Sequence, residues 1–240
     1  MMKLPILLAA TARHSTGGEP SETVVRSDKG VKMESAEQGV PNFGIAGVSV
    51  AAGSWLIVSV AYNDPVREVE PTGELYDGVA MPCVLTVPFL GNGMIVKVYA
   101  LYCPSAHTGG IIVPFDNANP TLCLMTAVEV AGLASPALDT TKSGSGSGTA
   151  VSSGASAAAV QNHEYCHGLV VWVKNTAPDI SYGNSFLAGQ KVAGFEDGES
   201  VECALYDCGK VITGGGAQTL TATLPQSAAW AAHLLMFKAA

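Results

Sequence analysis

The sequence predicts an all-β chain folded as an antiparallel two-sheet sandwich, and three observations carry that prediction. Short apolar runs alternate with Gly, Pro, Asn and Asp punctuation along almost the whole chain, a helical period of 3.6 is nearly absent, and several runs alternate strictly with a period of two. At 240 residues the chain is long enough for one large β-domain to bury roughly 70 to 75% of its unfolded surface without disulfide staples.

Individual runs place themselves by their pattern. In the segment 219–224, Leu220, Ala222 and Leu224 fall on one face and three threonines on the other, as in a strand with one face toward solvent. The segment 94–102 sets Met94, Val96, Val98, Ala100 and Tyr102 against Ile95, Lys97, Tyr99 and Leu101, with a charge on one side only. The run 55–60 is apolar on both faces and belongs in the centre of a sheet, covered from both sides. Between these strands Thr141-Lys-Ser-Gly-Ser-Gly-Ser-Gly-Thr149 has the composition of a flexible linker; a loop at 143–148 and a small-residue strand at about 149–153 are expected.

A weak internal echo runs through the chain. Gly53-Ser-Trp-Leu-Ile-Val-Ser-Val60 is answered by Gly168-Leu-Val-Val-Trp-Val173, Ala100-Leu-Tyr102 by Ala204-Leu-Tyr206, and the run 122–130 by 229–237, in the same order. A pseudo-duplicated single domain is the corresponding expectation, with halves at about 43–132 and 149–238 inside a sandwich spanning 41–240. Residues 1–40 form an N-terminal arm. Its start, Met1-Met2-Lys3 followed by an apolar run and Ala10-Thr11-Ala12, has the look of a short secretory signal, but the preferred reading is a structural segment with a strand over Ile6 to Arg13.

Composition narrows the function. Only 13% of residues are charged and 48% are hydrophobic, which suits broad sheets with buried faces and further surface covered by neighbouring subunits. A net charge of −8 with no basic stripe argues against nucleic-acid binding, and no apolar run approaches the roughly 20 residues of a membrane helix. The six cysteines contain no CxxC pair, and four lie inside apolar strand patterns, so reduced thiols packed as small apolar side chains are expected.

One motif stands out. His163-Glu-Tyr-Cys-His167 matches the H-E-x-x-H pattern in which two histidines bind zinc and the glutamate activates water. That chemistry requires a helix beneath the histidines. Gly168 and the apolar run that follows mark a strand instead, along which His163 and His167 would lie roughly 13 Å apart, too far for one metal. A short helix opening at 157–160 is the alternative, with His107, in a turn, or His233, in a strand, as a third ligand. The expectation is no metal, no cofactor and no catalytic residues, with a zinc site on His163, Glu164 and His167 kept as the disfavoured alternative.

Other features read as structure. Ser145-Gly-Ser-Gly lacks the strand-turn-helix frame of a nucleophile elbow, and the glycines at 214–216 lack the helix and lysine of a phosphate cradle. The acidic turns at Asp64-Pro65 and Glu196-Asp-Gly-Glu199 resemble calcium loops no more than they resemble solvated turns. Trp55, Trp172 and Trp230 read as core anchors, although a tryptophan at the rim would favour carbohydrate binding.

The order of these elements carries a resemblance. A Gly-led strand at 53–60, then Glu129-Val-Ala-Gly-Leu133, Ser135-Pro-Ala-Leu-Asp139, a Gly/Ser/Thr run and a second Gly-Leu-Val-Val strand are similar to the β-sandwich domains of tailed-phage virion proteins and some bacterial surface proteins, over residues 43–175. The resemblance implies an Ig-like or jelly-roll sandwich displayed on a particle as a homo-oligomer, a trimer among the options, and transfers no catalytic residue. The polar stretch at 14–40 and the six cysteines depart from the extracellular members and suit assembly in a reducing cytoplasm. The leading expectation is a non-enzymatic virion protein, a head decoration or cement protein contacting the major capsid protein at the virion surface. A fibre or adhesin module binding a host glycan is the alternative, and a zinc hydrolase the third reading.

Overall fold

The structure is a computed structural model, and it describes residues 24–35, 42–63, 74–89, 93–115, 120, 122–173, 178–195 and 202–240. Among them every regular element is a strand. In chain order these are β1 (Val25–Ser35), β2 (Asn42–Val50), β3 (Ser54–Asn63), β4 (Glu74–Tyr76), β5 (Val79–Ala80), β6 (Cys83–Phe89), β7 (Met94–Cys103) and β8 (His107–Pro114). There follow β9 (Leu122–Ala131), β10 (Leu133–Ser152), β11 (Tyr165–Val173), β12 (Ser181–Tyr182), β13 (Leu187–Phe195), β14 (Glu202–Val211) and β15 (Thr221–Ala239). The expected strand over Ile6 to Arg13 lies outside the described residues.

The strands form three antiparallel sheets. The first has the order β1-β9-β3-β7-β6, the second β10-β15-β11-β14-β13 with β12 beside β15, and the third β2-β8-β4-β5. The first two face each other as a sandwich around a core that includes Ile57, Val98, Leu124, Leu169, Val171 and Leu235. The third covers the outer face of the first, where Phe43, Ile111 and Val113 pack on Leu56, Val58 and Met125. β3 therefore sits at the centre of its sheet and is buried on both faces, as its doubly apolar pattern requires. The same covering buries Lys97, the charge on one side of the 94–102 alternation.

The central sheets share one strand order, and the exchange of β1 with β10, β9 with β15, β3 with β11, β7 with β14 and β6 with β13 carries one into the other. Contacts between them follow the exchange in part: β1 packs on β13 and β6 on β10, whereas β9 also packs on β13 and β14 with no contact of like extent, among the described residues, from β15 onto β6 or β7. Two of the three sequence echoes coincide in register: Ala100 stands opposite Ile57, and Ala204 opposite Trp172, each partner four residues beyond its leading glycine. The third does not coincide. Val128 is opposite Ile57 and Trp230 opposite Trp172, where the echo would have placed Leu235.

The expected loop at 143–148 is a strand. Ser143 pairs with His233, Gly146 with Trp230 and Gly148 with Ala228, and after a shift the ladder resumes at Ala150 opposite Thr223. The paired ribbon of β10 and β15 folds back at this shift, bringing Val151, Leu220, Ala222 and Leu224 onto Cys166, Val170 and Trp172 of the second sheet. A Cβ on Gly144 would collide with the carbonyl of Ser152 in the returning leaf, and one on Gly146 would lie 2.7 Å from the Trp230 indole. The glycines serve close backbone approach, which demands the same composition as a flexible linker.

Candidate functional site

The strand β11 runs through the second half of the zinc-like pattern, where that chemistry needs a helix. Its residues Tyr165, Leu169 and Val171 face the first sheet and Cys166, Val170 and Trp172 face the folded-back leaf. No helix forms between 157 and 167, and His163 lies in a bend with φ of 65°. Glu164 is buried just before β11, where its Oε1 accepts the Gln161 N–H at 3.2 Å. Burial and the neighbouring Asp139 carboxyl raise its pKa. His167 is fully buried within the strand, and its Nε2 lies 3.2 Å from the Ser59 hydroxyl.

The two further histidines are placed elsewhere. His107, expected in a turn, is the first residue of β8, pairs with Asp77 at 2.7 Å and meets the Tyr76 ring edge-on. His233 is buried in β15 with Nδ1 2.9 Å from the Ser143 hydroxyl, and burial lowers its pKa to about 4. Among the described residues no three His, Cys, Asp or Glu side chains come together as a metal site. All six cysteines are free; five are buried and Cys83 is exposed on the edge strand β6.

The polar residues that do converge lie between the two central sheets. Arg26 leaves β1 beside Val130 and forms an ion pair with Asp207, which stands opposite Leu169 in β14; Arg26 also reaches Asp28 at 2.8 Å. Asp207 Oδ1 accepts the Gln190 N–H at 2.8 Å. Burial alone would lower the Arg26 pKa, but the facing Tyr165 hydroxyl, Asp207 and Asp28 more than offset it and hold the guanidinium charged. A Cβ at position 189 would run into both Asp207 and the guanidinium, so glycine is required there. Beside this pair the Tyr165 and His167 rings lie 6.3 Å apart, and Ser59 stands opposite Thr126.

A serine hydroxyl beside an imidazole has the atoms of a nucleophile and its base. Here both are buried to 1% exposure or less, and burial with the nearby Arg26 lowers the His167 pKa to about 3. The Asp207 carboxylate is engaged by Arg26 and does not orient the imidazole. The arrangement joins the two central sheets through side chains that are all buried. Sequence reasoning missed this cluster, although one signal was present: Asp207 is the only charge inside the buried run 203–209.

At the rim one aromatic pair remains accessible. Trp172 and Trp230 are buried as expected, whereas Trp55 is half-buried, donates its Nε1–H to the Ala134 carbonyl at 3.0 Å and lies 5.6 Å from the exposed Tyr102 ring. The glycines at 214–216 form a bend in which the Gly215 N–H donates to Asn162 Oδ1 at 2.7 Å. The acidic turns at Asp64 and at 196–199 lie outside the described residues. No known protein family, curated protein or solved structure matches the chain.

Proposed function

We propose that the chain is a non-enzymatic structural protein of a tailed-phage virion, a head decoration or cement protein that self-associates and contacts the major capsid protein. The observation that carries the reading is one flank of the sandwich. The edge strands β1 and β13 stack there, each paired on one side among the described residues, with Val31, Met33 and Leu187 exposed at 44%, 38% and 46%. Uncovered edges with apolar side chains are surfaces that proteins cover or charge, and an oligomer or a capsid lattice covers them. The reading also rests on the resemblance over 43–175, and five buried free thiols suit assembly in the reducing host cytoplasm before display on the virion surface.

The test is particle binding. The chain added to undecorated capsids should cosediment, and Val31→Glu with Leu187→Glu should abolish cosedimentation while leaving the melting temperature within about 2 °C, as for surface changes in a domain of this size. A variant that binds as well as the parent overturns the assignment of the flank, and a parent that binds no capsid overturns the function. A glycan-binding fibre or adhesin module is the second reading, favoured by the accessible Trp55 and Tyr102 pair, since sugar rings stack on such faces. Glycan-array binding lost in Trp55→Ala would replace the first reading with the second.

A further inference from the structure

Five polar atoms in the space between the two central sheets have no hydrogen-bond partner among the described residues. They are Arg26 Nε, Thr126 Oγ1, Tyr165 OH, His167 Nδ1 and Asp207 Oδ2, on side chains exposed by no more than 4%. They belong to one neighbourhood. Arg26 is paired with Asp207 and faces Tyr165, Tyr165 and His167 have adjacent rings, His167 meets Ser59, and Ser59 stands opposite Thr126. The set mixes donors and acceptors: the guanidinium Nε–H donates, the carboxylate oxygen accepts, and the two hydroxyls and the imidazole nitrogen can be used either way.

Isolated orphans of this kind are rare in folded proteins, and five in one place call for a common partner. We propose that this inter-sheet space is a binding site for ordered internal water, bridging the Arg26–Asp207 pair to the Tyr165, His167 and Thr126 groups. Water fits where a larger ligand does not. The chemistry is that of a species that donates and accepts in several directions, and the Tyr165 hydroxyl already lies against Gly209, where an added Cβ would be 2.7 Å away. The charges also fit: Arg26 is balanced by Asp207, with Asp28 beside it, so the site favours no additional anion. The water completes the hydrogen bonds of a cluster that would otherwise disfavour closure of the sheets.

Two hydroxyl deletions in the full-length chain separate a hydrated site from a dry one. Thr126→Val keeps the side-chain shape, and Tyr165→Phe keeps the ring. In a dry site each change removes an unsatisfied hydroxyl and leaves stability equal or higher. In a hydrated site each removes a partner of bound water, and each variant should melt about 2 to 4 °C below the parent. A high-resolution crystal structure of the parent should show solvent density within hydrogen-bond distance of both hydroxyls. A melting temperature at or above that of the parent in either variant overturns the proposal, and so does a parent structure without that density. If Tyr165→Phe does not fold, the isosteric Thr126→Val and the parent structure still decide it.

Discussion

Acid should unfold this protein through two histidines that never touch solvent. His167 and His233 are exposed by 0% and 1%, with pKa values lowered by burial from 6.5 to about 3 and about 4; Arg26 adds to the effect at His167. In the unfolded chain both take up a proton as the pH falls through 6.5, while the folded chain binds neither until near its lowered value. The unfolded state therefore gains protons preferentially between about pH 6.5 and pH 4, and stability is lost as the pH falls through that window. At about 1.4 kcal/mol per pH unit, each histidine withdraws about 3 kcal/mol by pH 4, and the two together about 6 kcal/mol. That is comparable with the whole stability of many domains, about 5 to 15 kcal/mol. Glu164 acts in the opposite sense, because its raised pKa contributes stability that is lost as the pH rises through the folded value. Urea unfolding at pH 7, 6, 5 and 4 measures the slope directly. His167→Gln can still hydrogen-bond to Ser59 but does not titrate, so its stability should fall with about half the slope of the parent. Parallel parent and variant slopes would refute the placement of a neutral His167 between the sheets.

Two further outcomes follow from glycines whose missing side chains make room for other atoms. Gly189→Ala drives a methyl group into the Arg26–Asp207 pair, and breaking a buried pair costs about 3 to 5 kcal/mol, read as a lower urea midpoint at unchanged m-value. Gly144→Ala presses on the returning backbone at Ser152 and should lose about 1 to 3 kcal/mol, while the parent tract 143–148 resists limited proteolysis at concentrations that cut a Gly/Ser linker. Rapid cleavage within that tract, or an alanine variant as stable as the parent, would show that the ribbon does not fold back as described.

What the sequence disclosed and what it concealed differ in physical kind. The class, the central position of β3 and the one-sided burial of Leu220, Ala222 and Leu224 were legible because each is set by local periodicity and apolar pattern. The strand beneath His167 was legible for the same reason, and it removed the helix that the zinc pattern needs. The strand at 143–148 was concealed, because glycine forced by a close backbone neighbour and glycine in a mobile linker are the same letters. The polar cluster was concealed because its members come from β1, β3, β9, β11 and β14, and nothing local in a strand says which charge on another sheet will face it. A half-buried Trp55 was equally hidden, since its strand is as apolar as that of Trp172 and only its position near the end of β3 leaves a face uncovered.

The low charge of the chain takes on a different meaning once the layers are in place. A sandwich with only 13% charged residues invites the conclusion that neighbouring subunits must cover its broad faces. Both outer faces are covered by the chain itself, one by the four-stranded sheet and the other by the folded-back leaf of β10, β12 and β15. The apolar composition is thus largely accounted for within a single subunit, and it no longer argues for oligomerisation through a broad face. What argues for a partner is narrower: the β1 and β13 flank, where exposed apolar side chains stand on the same two edge strands that carry Arg26 and Gly189, the glycine against the Arg26–Asp207 pair. A partner bound there would cover the edge strand that closes the polar cluster. Occupancy of the flank should then slow hydrogen exchange of the β1 amides and of the Gln190 N–H, while amides at the far edge on β6 exchange unchanged.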